Sequence, residues 1–133
     1  MEKENLLWEK LNKTNLLPVA FLGDSIHTAF VRKSILEKSN LKMENYHSVA
    51  SKYCKASSQS KVLEIIISTL NENEKEIVRR ARNAKPKHQA KNCTIKDYLY
   101  ATAFEALVGY LYLTAQTERL TEILTISINY DNN

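Results

Sequence analysis

FLGDSIHTAF, residues Phe21 to Phe30, sets a single carboxylate, Asp24, inside an otherwise apolar helical pattern. Pro18 lies just upstream and suits the first turn of a helix, where its missing N–H would be unpaired anyway. The pattern predicts a helix running to about Leu36, with Phe21, Leu22, Ile26, Phe30 and Val31 as its apolar side. A carboxylate among such neighbours is costly unless it is paired or binds a metal. The bland alternative is an exposed Asp with no role. Gly23 poses the same choice: glycine costs a helix roughly 1 kcal/mol relative to alanine, so either a close backbone or ligand requires it, or it is incidental. His27, one turn after Asp24, is either part of the same site or an ordinary satisfied histidine. His47 and His88 read as exposed. Ser25 has no GxSxG context, which argues against nucleophilic catalysis.

The second informative stretch is TAFEALVGYLYL, Thr102 to Leu113. Glu105 is the only acid between Asp97 and Glu118, and Ala103, Phe104, Ala106, Leu107 and Val108 surround it. Thr102, three residues earlier, shares its helical face. Gly109 is again a small residue in a helix. Two isolated carboxylates on two apolar helices could meet across a helix–helix contact, and a carboxylate pair suits Mg²⁺, which takes one or two carboxylates and fills its shell with waters and phosphate oxygens. Tyr98, Tyr100, Tyr110 and Tyr112 recur at helical spacing and read as core or interface residues, not as base-stacking platforms.

The chain around these two stretches reads as helical throughout. Its 133 residues suit one domain, 1–133, and two glycines with two prolines are few for a sheet protein. A short first helix carries Leu6, Leu7, Trp8, Leu11 and Leu16. A third helix spans about Met43 to Ser57. A central one holds Val62, Leu63, Ile65, Ile66, Ile67 and Leu70. Asn73 with Glu76 resembles a capping box that opens the next helix, which Pro86 ends; Thr94 with Asp97 is a second box, opening a helix from about Ile95 to Ala115. Pro86 to Cys93 reads as a polar, basic loop. A last helix covers Glu118 to about Ile128, and the tail after it is expected to fray. Cys54 and Cys93 have no metal or disulfide spacing and read as free thiols of a reducing compartment. With no signal peptide and no long apolar run, the expected location is the cytoplasm, with no membrane contact.

The net charge of +4 is concentrated in one place. Between Ile77 and Lys96 lie Arg79, Arg80, Arg82, Lys85, Lys87, Lys91 and Lys96, with no acid, while the rest of the chain holds 12 basic and 15 acidic residues. Such a segment attracts polyanions, nucleic acid first among them; the alternative is a solvated loop.

FLGDS at Phe21 to Ser25 resembles the signature helix of the ribonuclease III family, and FEALVGYLYL at Phe104 to Leu113 resembles that family's second catalytic helix. The two occur in the family's order with the basic segment between them. Ala20 stands where the family has its first signature Glu, and Thr102 where it has the Asp before FEA. Those departures, with RRARNAKPK at Arg79 to Lys87 and KASSQSKVL at Lys55 to Leu63, resemble the Mini-ribonuclease III branch, which lacks a double-stranded-RNA-binding domain. The likeness covers roughly Leu16 to Ile123.

The resemblance implies an all-α ribonuclease III-type endonuclease domain that works as a homodimer. It implies Asp24 and Glu105 as the catalytic metal ligands, with Thr102 a candidate third, and Mg²⁺ as cofactor, replaceable by Mn²⁺. It implies double-stranded RNA as partner, in particular the precursor of large-subunit (23S) ribosomal RNA, with a ribosomal protein as a candidate helper. Phe21 matches the aromatic that enters the partner subunit. Arg79, Arg80, Arg82, Lys85, Lys87 and Lys91 are the expected RNA-binding residues. The two missing acids leave fewer oxygen ligands for a two-ion site than the family pattern supplies, which leaves the metal count open, and they favour the rival expectation of a non-catalytic RNA-binding protein on the same fold.

Overall fold

A computed structural model of the chain describes residues 8–84 and 93–130. Every regular element among them is helical. After a helical stretch at 8–12 come α1 (Leu17–Lys38), α2 (Met43–Cys54), α3 (Ala56–Ile66) with a 3₁₀ turn (Ile67–Thr69), α4 (Glu72–Asn83), α5 (Ile95–Leu113) and α6 (Thr117–Asn129). Leu6, Leu7, the Pro86–Asn92 part of the expected loop and the last three residues lie outside the described residues.

α5 is the axis of the molecule. From Ala103 to Leu111 every residue except Glu105 is buried, as expected of a helix that is apolar on all sides. α1, α3, α4 and α6 pack around it. The main core joins Leu63, Ile66, Ile77, Phe104, Leu107, Leu111 and Ile123, and a smaller cluster of Val31, Ile35 and Ala50 ties α1 to α2. Trp8 meets Tyr110 edge-on, with ring centroids 5.6 Å apart, so the first helical stretch is held against α5. Tyr110 is core, whereas Tyr112 faces outward.

Several expectations change. The buried row of α1 is Val19, Ala20, Gly23, His27, Val31 and Ile35, while Phe21 is 83% exposed and Leu22, Ile26 and Phe30 are half-buried. Ala20 and Gly23 hold the inner face at the crossing, where the backbones of α1 and α5 almost touch, and Phe21, Leu22, Ile26 and Phe30 are displaced to the outside and flanks. The expected helix from Met43 to Ser57 stops at Cys54, where Lys55 is extended. There the Ser58 hydroxyl donates to Lys52 O at 2.5 Å, satisfying a helix-end carbonyl, and the chain turns into α3. Within the expected central helix, Val62, Leu63, Ile66 and Leu70 are buried, but Ile65 and Ile67 are exposed.

The capping box of α4 is Asn71 with Glu74, two residues before the expected Asn73 and Glu76. Asn71 Oδ1 accepts from Glu74 N at 2.8 Å, and Glu74 Oε1 accepts from Asn71 N at 3.0 Å. Both pairs have the right spacing. The earlier one wins because Glu74 is buried against Arg119 of α6, whose guanidinium grips both carboxylate oxygens at 3.0 Å. Thr94 supplies one half of the expected box at α5, its hydroxyl accepting from Asp97 N at 3.0 Å. Pro18 sits in the first turn of α1, and Cys54 and Cys93 are free thiols.

Candidate active site

The crossing of α1 and α5 is built on two glycines. A Cβ at Gly23 would lie 1.7 Å from Glu105 O and 2.9 Å from Gly109 N, and a Cβ at Gly109 would lie 2.2 Å from Val19 O. Each glycine therefore admits the opposing backbone, where any side chain would hold the helices apart. Asp24 follows Gly23 and Glu105 supplies the carbonyl that Gly23 touches, so the close approach brings the two carboxylates together. Asp24 and Glu105 are within side-chain hydrogen-bonding reach of each other.

Their environments differ. Asp24 is exposed and Glu105 half-buried. Burial, and then the hydrogen bond and negative charge of Asp24, push the Glu105 carboxyl up to about 9, while a hydrogen bond from Gln59 works the other way. Two carboxylates in such contact hold a proton or a cation between them; a divalent cation would reverse the balance and favour both ionised forms. The donor set, two hard carboxylate oxygen groups open to solvent on one side, fits Mg²⁺ or Mn²⁺. Among the described residues no cluster of three or more His, Cys, Asp or Glu could hold a metal. Thr102 is half-buried one turn before Glu105, and its hydroxyl donates to Tyr98 O at 3.0 Å, which leaves the oxygen lone pairs free. Ala20 is buried.

His27 lies behind the carboxylates, not among them. It is fully buried, its ring edge-on to Phe104 with centroids 5.0 Å apart. Nδ1 is 3.0 Å from Gln59 Nε2, and Nε2 is 3.2 Å from Ser127 Oγ. Burial holds its pKa down at about 4, with the Asp24 charge opposing. The imidazole is thus neutral and fully satisfied near pH 7. The sequence signal for Gln59 was weak: a polar residue in KASSQSKVL that reads as helix surface until α3 turns it inward. Cys54 was not singled out as a neighbour of the site either. Burial pushes its thiol pKa up, with Thr28 and the Arg32 charge opposing and the Asp24 and Glu105 charges adding to the rise.

The basic segment divides. Arg80 is committed within the fold, donating to Leu11 O at 3.0 Å and Thr14 O at 2.6 Å. Arg79 is exposed and makes a bidentate pair with Glu76, one turn earlier. Arg82 lies 5.8 Å from the Tyr100 ring centroid, and Lys96 lies 5.4 Å from the same centroid while pairing with Glu64. Lys85, Lys87 and Lys91 lie outside the described residues. A separate surface hollow of about 430 Å³ is lined by Lys52, Lys55, Lys61, Glu64 and Asp97 among others.

Comparison with known proteins agrees with the all-helical fold. A family model described as the ribonuclease III domain matches residues 17–116. The chain is 45% identical to a Mini-ribonuclease 3 of Brevibacillus brevis over 93% of this chain and 92% of the relative. It is 40% identical to a Mini-ribonuclease 3 of Symbiobacterium thermophilum, covering 86% and 88% of the two chains. The crystal structure of a Fusobacterium nucleatum protein superposes with a TM-score of 0.81 at 32% identity, covering 90% of this chain and 95% of that one.

Proposed function

The chain belongs to the ribonuclease III family, and on that premise we propose that it is a metal-dependent endoribonuclease that cuts double-stranded RNA. The observation that carries the reading is the contact of Asp24 with Glu105 across the glycine-lined crossing. When bound there, Mg²⁺ would supply Lewis-acid stabilisation of the phosphate undergoing hydrolysis. The protein's own part is positioning. Asp24 presents its carboxylate to solvent, where a phosphate backbone can approach, and Glu105 is held by the helices around it. Water adds to the phosphorus and the bond to the 3′ oxygen breaks, leaving a 5′-phosphate and a 3′-hydroxyl. His27 is not placed as a general base, since it is buried with both nitrogens occupied.

Arg79, Arg82, Lys85, Lys87 and Lys91 are proposed as phosphate contacts. Arg80, also expected on the RNA, has its donors directed into the fold and is assigned to holding the first helical stretch. A homodimer would place two such sites on one duplex, one for each strand, and the precursor of large-subunit ribosomal RNA is the proposed substrate. The rival reading is an RNA-binding protein that has lost catalysis, which Ala20 and Thr102 favour by their lack of acids.

One experiment separates them. The unaltered protein and Asp24→Asn are incubated with a structured ribosomal precursor, with Mg²⁺ and with a chelator, and the ends are mapped. Mg²⁺-dependent cuts in both strands, lost in Asp24→Asn at unchanged helical content, are the expected result. RNA binding without cleavage by the unaltered protein decides for the rival.

A further inference from the structure

We propose that Gln59 is a positioning residue of the site: its buried amide, locked from behind by His27 and Ser127, holds the Glu105 carboxylate in one orientation for the metal. The proposal rests on the reading of Glu105 as a metal ligand and adds a third helix, α3, to the machinery.

Gln59 is 2% exposed, and His27 and Ser127 are not exposed at all. The Gln59 amide nitrogen lies 3.0 Å from His27 Nδ1, and the same side chain is near enough to the Glu105 carboxyl to favour its ionised form against burial and Asp24. An amide nitrogen only donates, so Nδ1 must accept. The imidazole proton is then on Nε2, which donates to Ser127 Oγ at 3.2 Å, and the Ser127 hydroxyl donates to Leu124 O at 2.5 Å. The direction of every bond follows from the first, and the chain ends on a backbone carbonyl that cannot turn. The Phe104 ring against His27 fixes the imidazole plane. Four helices, α5, α3, α1 and α6, are thereby joined behind one carboxylate.

The two carboxylates differ in support in the way this assignment requires. Asp24 is exposed, with a short side chain and few ways to turn. Glu105 has one more rotatable bond and is half-buried, so without a fixed donor its carboxylate would sample orientations unsuited to a cation. A ligand carboxylate is commonly oriented by such an outer hydrogen bond, and losing the partner weakens metal affinity. An amide that merely satisfied a buried polar group would affect stability alone.

The test measures Mn²⁺ affinity in the absence of RNA by the electron paramagnetic resonance of the free ion. Gln59→Met keeps the volume and removes the donor; Ser127→Ala removes only the far anchor. Thermal melts run alongside. Folded Gln59→Met should bind Mn²⁺ roughly 10–100-fold more weakly, and the Mg²⁺ concentration for half-maximal cleavage should rise in parallel, with activity recovered at high Mg²⁺. Ser127→Ala should move both readouts the same way by a smaller factor, and it decides the matter if Gln59→Met does not fold. Unchanged Mn²⁺ affinity in the deciding variant, whatever its melting temperature, overturns the role of Gln59 and leaves the endonuclease reading intact. Failure of the unaltered protein to bind Mn²⁺ or to cleave overturns both.

Discussion

An alanine at position 23 would put its methyl carbon 1.7 Å from the Glu105 carbonyl oxygen, and the obstacle is backbone, not a side chain that can swing aside. α1 and α5 would have to separate, and with them Asp24 and Glu105. Overpacking typically costs ~1–3 kcal/mol; Gly23→Ala belongs at the upper end, because rigid backbone opposes it. Denaturant melts should show that loss, and the variant that still folds should cleave far more slowly than its stability explains. His27 supports a separate prediction. Its folded pKa is about 4, against 6.5 for a free imidazole. Between those values the unfolded chain binds a proton that the folded one refuses, so stability falls as the pH drops through the window, by about 3 kcal/mol in full. The raised pKa of Glu105 tilts stability the opposite way, falling as the pH rises. The test is therefore a difference: the acid loss between pH 7 and 4.5 should be smaller in His27→Gln than in the unaltered protein. Equal slopes would mean His27 protonates in the fold as easily as in water.

α4 shows how one helix can carry two tasks. Its buried Glu74, Ile77, Val78 and Ala81 lock it to the core, and Arg80 extends that lock to Leu11 and Thr14. Arg79 and Arg82 remain at the surface or near it, the first paired with a half-exposed Glu76 that a polyanion could displace at little cost, since surface pairs contribute about 0–1 kcal/mol. The segment after α4 adds Lys85, Lys87 and Lys91 by sequence. A duplex of RNA hides its base edges in a deep major groove and offers phosphates and 2′-hydroxyls instead, so this element should respond to shape and salt more than to sequence. In Lys85/Lys87/Lys91→Ala, each lost phosphate contact should lower the salt slope of duplex binding by up to ~1 unit. A titration across several salt concentrations with wild-type affinity and slope would show that the RNA lies elsewhere. Arg80→Ala should instead lower stability with little change in that slope.

For the whole molecule, the exposed face of α1 bears on assembly. Phe21 is 83% exposed on α1, three residues before Asp24, and so contributes little to the protomer's own core. A large aromatic left in water at that place is what a homodimer would bury, and truncating a buried Phe costs ~3–5 kcal/mol. On the proposed homodimer, the unaltered chain should sediment as a dimer at micromolar concentration and Phe21→Ala as a monomer, with its helical signal retained. A tight dimer in the variant would move the interface away from Phe21. No described helix is long and apolar enough to cross a membrane.

The all-helical class, the two carboxylates, the glycines beside them and the basic segment were legible in the sequence, because each is a local departure from pattern: an acid or a glycine where apolar helix is expected, or a run of one charge. Legible signals also misled where two local solutions had equal merit. Asn71 with Glu74 and Asn73 with Glu76 are the same box in sequence, and only the burial of Glu74 against Arg119 selects between them. Tertiary structure likewise turned Phe21 outward and Ala20 inward, joined Arg80 to backbone carbonyls, and brought Gln59, His27 and Ser127 into line behind Glu105. Periodicity reports which residues share a helix face; it says nothing of how near another helix comes to that face. At the α1–α5 crossing that distance is set by two glycines meeting opposing carbonyls, a contact between residues far apart in the chain, and it decides what lies beside Asp24 and Glu105.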